Sequence, residues 1–165
     1  MWLFEGRLNN SNPKYNGVKS AYVAHAANAD EQLTSTSGGI ASVIARHVLH
    51  RGGVVYGCSG VDAYDVKHVR IEEESDLSIL KGSKYVQSRM ENTYQKVLSD
   101  LRTGKIILFI GTPCQVAGLY AFLGTRTFEN LLTLDFVCHG VPSQKILTDA
   151  ILSRLTGSNT PVELQ

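Results

Sequence analysis

The sequence predicts an α/β fold: a mixed, largely parallel sheet with flanking helices. Two observations carry this. Short apolar runs bounded by turn residues alternate along the chain with stretches of helical spacing. Over 105–137 the alternation is clearest. Ile106-Ile107-Leu108-Phe109-Ile110 stops at Gly111-Thr112-Pro113-Cys114-Gln115, Gln115 to Leu123 has helical character, and Leu131 to Val137 stops at Cys138-His139-Gly140-Val141-Pro142. Strand, helix, strand is a βαβ unit. Its right-handed crossover puts both strand ends on one edge of a parallel sheet, where open α/β sheets bind ligands.

In chain order, the Val-, Ala- and Tyr-rich segment Gly17 to Ala26 reads as a first strand and Asn28 to Leu33 as a helical turn. The small residues Thr34 to Gly39 precede Ile40 to Arg51, where Ile40, Val43, Ile44 and Val48 recur at helical spacing, and the hydroxyl cluster is a helix-start signal. Gly52-Gly53 stops that helix, and Val54 to Cys58 reads as a buried strand. Val66 to Glu72 alternates weakly, as a half-exposed strand does. The hairpin-like connection from Cys58 makes the sheet mixed. Ser75 to Leu80 reads as a short helix capped by Ser75, and Gly82 to Ser88 as a loop or short strand. Asn92 to Thr103 reads as an amphipathic helix with Tyr94, Val97, Leu98 and Leu101 inward, closed by Gly104. Ser143 to Leu155 is the last helix, with Ser143 as its cap. The expected organisation is a flexible segment over 1–16, a single α/β domain over 17–155, and a polar tail over 156–165 that reads as a truncation point.

With 165 residues and 43% hydrophobic content, one domain can bury a sizeable core. Sixteen basic and 15 acidic residues leave a formal charge of +1, no footprint for nucleic acid or anionic membrane. The run Glu72-Glu73-Glu74 reads as a solvated loop or strand end. No apolar segment has the length of a membrane span, and Met1 to Lys14 lacks the pattern of a secretion signal. Three widely spaced cysteines are no disulfide framework, which makes a reducing, cytoplasmic setting the default.

Cys114 is the strongest chemical candidate. Pro113 suits a first helical turn, and Gly111 lets the backbone bend before it. A thiol at a helix N-terminus is favoured as thiolate, a nucleophile and a soft-metal ligand. Its bland counterpart is a small buried hydrophobe. Cys138 and His139 form a second candidate pair; for His139 a structural role at a strand end weighs equally. Two thiols and an imidazole are expected to converge at the strand ends, yet they fall short of a closed zinc or cluster site. Cys58 reads as core. Ser35 to Gly39 before a helix suits phosphate, although such residues are more often only caps. Lys84, Tyr85 and Gln87 offer a cation, a ring and an amide to a flat phosphate-bearing ligand. They fit an ordinary half-exposed strand as well. His47 and His50 lie on one helix, and His25 and His68 have no ligand partners nearby in sequence.

Taken in order, five strings resemble the coenzyme F420 hydrogenase/dehydrogenase beta-subunit family: Ser35-Thr36-Ser37-Gly38-Gly39-Ile40, Gly52 to Gly57, Lys81 to Ser88 (KGSKYVQS), Gly111 to Leu119 (GTPCQVAGL), and Asp135 to Pro142 (DFVCHGVP). The resemblance covers roughly residues 17 to 155. It implies a flavoprotein that binds FAD and 4Fe-4S iron–sulfur clusters and passes electrons between them, in some members to or from coenzyme F420. It implies that Ser37, Gly38, Gly39, Lys84, Tyr85, Gln87, Ser88, Gly111, Thr112, Pro113 and Gln115 line the FAD site and that Cys114 and Cys138 are cluster ligands. Implied partners are a redox partner protein, or a further domain of a longer chain, and a small-molecule electron donor or acceptor. The chain departs from the family where further cysteines are common, before the first strand and after the CHGVP segment, so its own cluster ligand set is incomplete. Two other readings stay open: a thiol enzyme with Cys114 as nucleophile and His139 as base, and a non-catalytic docking subunit of a larger redox complex.

Overall fold

The computed structural model describes residues 20–60 and 65–155. The segments expected to be flexible at 1–16 and tail-like at 156–165 lie outside the described residues. The elements run α1 (Ala29–Leu33), α2 (Ile40–His50), β1 (Val54–Gly60), β2 (Val66–Ile71), a 3₁₀ helix (Glu74–Leu80), α3 (Thr93–Arg102), β3 (Ile107–Gly111), α4 (Pro113–Leu123), β4 (Leu131–Asp135) and α5 (Gln144–Leu155). The sheet order is β2-β1-β3-β4. β1, β3 and β4 run parallel, and β2 is antiparallel to β1 at one edge. This is the mixed, largely parallel sheet that the sequence predicts, with the βαβ unit in place as β3-α4-β4.

Strand alternation divides the core into two layers. Val54, Tyr56, Ile107 and Phe109 pack on α3 and α4 through Val97, Leu101, Val116, Leu119 and Leu123. Val55, Leu108 and Ile71 point the other way, onto Ala45, Val48 and Leu49 of α2 and Leu77 of the 3₁₀ helix. Phe109 and Leu108 are sealed from solvent, and truncating either to Ala would cost about 3–5 kcal/mol. Beside the first layer, Asp100 on α3 accepts from Tyr56 Oη (2.6 Å) and Arg70 Nε (2.7 Å), tying α3 to β1 and β2. Burial, with the Asp100 carboxylate alongside, pushes the Tyr56 hydroxyl well above the usual phenol range.

Four expectations are corrected. Residues 20–26 form no strand; Gly17 to Lys19 lie outside the described residues. β propensity makes a strand only where a neighbour completes the ladder, and here the Ala26 N–H donates instead to the Gly38 carbonyl (2.6 Å). The hydroxyls of 34–37 do not cap α2. Gly39 caps it in the left-handed conformation (φ 75°), with no side-chain capping bond. Glu73, not Ser75, precedes the helix that ends at Leu80, which is a 3₁₀ helix. The β4 strand stops at Asp135, because β3 ends at Gly111 and offers no partner beyond that pair. The acidic run lies exposed just after β2, the solvated strand end that the sequence predicts, and carries surface ion pairs: Glu72 meets Arg70 and Lys105, and Glu74 meets Arg46 and His50.

Candidate functional site

A cleft of about 500 Å³ opens at the carboxyl ends of β1 and β3, within the size range of small-molecule sites. Its walls come from four places. Ser35, Thr36, Ser37 and Gly39 arrive on the loop before α2, and Ala41, Ser42 and Ala45 on the helix itself. Gly57 and Cys58 arrive on β1, and Ile110, Gly111, Thr112 and Gln115 at the β3–α4 junction. The segment Leu80 to Ser88 forms a third wall, and Phe136 and Val141 close the side beyond β4. Gly57 makes room here: a Cβ on it would stand 3.1 Å from Leu80 Cδ1.

Of the residues that the resemblance assigns to a cofactor, Ser37, Gly39, Lys84, Tyr85, Gln87, Ser88, Gly111, Thr112 and Gln115 line this one cleft. Gly38 and Pro113 are chain neighbours of its lining. Because Gly39 provides no side-chain cap, the N–H groups opening α2 carry no side-chain partner, as an anion site requires. The Gly39 turn is held from below. Buried Glu31 on α1 accepts from Arg46 (2.8 Å) and pairs with Lys81 (2.7 Å). Hydrogen bonds from Arg46 and Lys81 hold its carboxyl well below the usual range, at about 2.

Lys84 reaches across the third wall. Its Nζ donates to the carbonyls of Leu80 (2.8 Å) and Lys81 (2.7 Å), which leaves one N–H uncommitted. Burial pushes its ammonium below the ordinary lysine value, and nearby Cys58 opposes the shift. Burial likewise raises the Cys58 thiol, opposed by the nearby Lys84 charge and by the neighbouring Ser88. Tyr85 is 77% exposed and presents a ring face free of packing.

The floor is a buried chain of hydrogen bonds. Gln115 Oε1 accepts from the Thr112 N–H (3.0 Å), the reciprocal bond of a helix-start box. Gln115 Nε2 donates to Ser88 Oγ (2.8 Å). Ser88 Oγ lies 2.9 Å from His68 Nδ1, and His68 Nε2 lies 3.0 Å from the Ile110 carbonyl. The ring stacks on Phe109 with centroids 5.4 Å apart. Burial pushes His68 below its ordinary value, only partly offset by Ile110, so it is neutral near pH 7. Nothing local in the sequence marked His68. Its partners lie 20 and 42 residues away, and its only signal was a polar residue on the inward phase of a strand.

The cysteines are distributed differently from expectation. Cys58, read as core, lines the cleft, whereas Cys114, Cys138 and His139 do not. Cys114 is exposed on the first turn of α4, its Sγ 3.1 Å from Thr112 Oγ1. The half-buried Cys138 accepts from the Gly140 N–H (3.4 Å), and His139 is exposed in the loop after β4. Among the described residues, no three His, Cys, Asp or Glu side chains gather into a group fit to hold a metal, so the expected three-way convergence is absent there. The residues present fit a flat, phosphate-bearing ligand and do not fit a cluster.

No helix among the described residues is long and apolar enough to cross a membrane. No curated protein matches the sequence. Among solved structures, the fold matches a chain of the F420-reducing NiFe hydrogenase complex from Methanosarcina barkeri. The TM-score is 0.61 at 19% identity, over 79% of this chain and 49% of that one. The present chain thus spans about half of that relative's length, and at this identity the likeness speaks for the fold. Residues 104–163 match the family described as the C terminus of the coenzyme F420 hydrogenase/dehydrogenase beta subunit. That stretch begins just before β3 and contains Cys114, Cys138 and the βαβ unit. The shared fold and this match over part of the chain agree with the resemblance of the sequence motifs to the coenzyme F420 hydrogenase/dehydrogenase beta-subunit family.

Proposed function

We propose that this chain is the flavin-binding part of an electron-transfer oxidoreductase, and that the cleft at the ends of β1 and β3 holds FAD. One observation carries the reading: nine residues assigned to a cofactor by motif alone, drawn from three distant segments, line a single cleft. The uncapped start of α2 and the hydroxyls of Ser35 to Ser37 suit the pyrophosphate. Lys84 supplies a cation beside it, and Tyr85 a ring face for stacking. Ser88, Thr112 and Gln115 supply polar groups for the edge of a flat ring. Bound FAD would supply hydride exchange and one-electron steps, while the protein supplies binding and orientation.

The electron partner in this reading is a redox protein, or a further domain of a longer chain, together with a small-molecule donor or acceptor of the deazaflavin kind. Iron–sulfur ligation is assigned to Cys114 and Cys138 only in company with ligands from beyond the described residues. A cytoplasmic setting follows from the same reading. The test is direct: the purified chain is mixed with FAD and passed over a desalting column. A retained flavin absorbance with quenched fluorescence is expected. Complete loss of flavin, from this chain and from a longer one carrying additional cysteines, refutes the proposal.

A further inference from the structure

The cleft floor carries an inference that deepens the flavin reading and rests on it. A carbonyl can only accept, so the bond between His68 and the Ile110 carbonyl places the proton on Nε2. In the neutral ring Nδ1 is then an acceptor, and the Ser88 hydroxyl must donate to it. Ser88 Oγ accepts in turn from Gln115 Nε2. The Gln115 amide cannot be turned over, because its Oε1 is taken by the Thr112 N–H. Every proton in the chain therefore points the same way, from Thr112 through Gln115, Ser88 and His68 to Ile110. The second hydrogen on Gln115 Nε2 has no partner among the described residues, on a side chain that is 95% buried and lines the cleft.

We propose that His68 is the positioning residue of this site: Thr112 decides which end of the Gln115 amide faces Ser88, and His68, by accepting from Ser88, anchors the oxygen that holds Gln115 Nε2 in place, so that its second hydrogen is offered to the ligand. The matching ligand chemistry is a ring edge that accepts, a carbonyl or an imine nitrogen, as on the oxidised isoalloxazine of a flavin. A donor at such an atom stabilises the electron-rich reduced ring more than the oxidised one, and so raises the flavin midpoint potential.

Two substitutions of equal cost separate positioning from structure. His68→Asn keeps an acceptor near Nδ1 and gives up the bond to Ile110. His68→Gln keeps a donor near Nε2 and gives up the bond from Ser88. Each loses one buried hydrogen bond, so a purely structural histidine predicts the same result for both. Positioning predicts that H68N holds FAD like the unchanged protein, while H68Q loses roughly tenfold in affinity, the worth of one hydrogen bond. The H68Q flavin potential should also move to more negative values. Equal behaviour of the two variants overturns the proposal. Nitrogen NMR of the His68 ring in ligand-free protein forms an independent arm: a neutral Nε2–H tautomer supports the proposal, and an Nδ1–H or doubly protonated ring at pH 7 overturns it. If the unchanged protein retains no FAD, the flavin reading falls, and the ring tautomer still decides the direction of the floor.

Discussion

Replacing Gln115 by Met tests how much the floor chain contributes to stability. Met matches Gln in length and fills the same space, so no cavity complicates the result. The side chain is 5% exposed and Thr112 is 8% exposed, so water replaces the lost partners poorly. The Thr112 N–H loses the acceptor it had at 3.0 Å, and a buried donor left unsatisfied costs about 1–3 kcal/mol. Ser88 loses a donor at 2.8 Å but keeps its bond to His68, a loss of about 0.5–1.5 kcal/mol. The sum, about 1.5–4.5 kcal/mol, corresponds to a fall in Tm of roughly 3–18 °C for a domain of this size. Urea unfolding followed by circular dichroism measures it, with an unchanged m-value as the check that only stability moved. A loss under about 0.5 kcal/mol would refute the reasoning, because that is the expectation for a surface substitution free of buried bonds.

Three further outcomes are expected. In Gly53→Ala the new Cβ would stand 2.6 Å from the Ile106 carbonyl and 2.9 Å from that of Val48; both are backbone, so destabilisation beyond about 2 kcal/mol should appear in the same urea assay. Glu31, held at about 2 by Arg46 and Lys81, has a folded value below its unfolded one, so its contribution is full above about pH 4.5 and fades as pH falls towards 2; Glu31→Gln should flatten the slope of stability against pH within that window. Cys58 lines the cleft with its thiol pushed up by burial, whereas Cys114 is exposed, so iodoacetamide followed by mass spectrometry should modify Cys114 first. Added FAD should slow modification of Cys58 and leave Cys114 unaffected; equal protection of both would show that the ligand sits elsewhere.

The sequence made some of this molecule readable because some signals are local. α3, α4 and α5 announce themselves through spacing and end residues within a single stretch of chain, and β3 through its apolar run. The segment 20–26 misled because its composition suits a strand while the partner that would make it one is absent. The hydroxyls of 34–37 misled in another way: they sit where caps sit, but Gly39 takes that place, Thr34 closes α1 instead, and Ser35, Thr36 and Ser37 line the cleft. The thiols were expected together because two strand ends share an edge, and edge-sharing does not decide where a side chain points. Cys58 and His68 went unread because what makes them matter is contact across the sheet. They pair directly in the β1–β2 register, and that adjacency has no trace in the local pattern of either strand.

The loop after β4 is pinned from afar. The Gln87 N–H donates to the Pro142 carbonyl (3.0 Å), and Gln144 Nε2 reaches the Val66 carbonyl (2.7 Å) across 78 positions of chain. As the polypeptide emerges from the ribosome, β1, β2 and the KGSKYVQS segment are therefore out well before Phe136 and Val141 arrive to finish the enclosure. Until then the nascent chain exposes a half-built trough. If the cleft holds a nucleotide as proposed, capture once those residues are in place would act as a clasp, shifting the balance towards the closed form as its concentration rises.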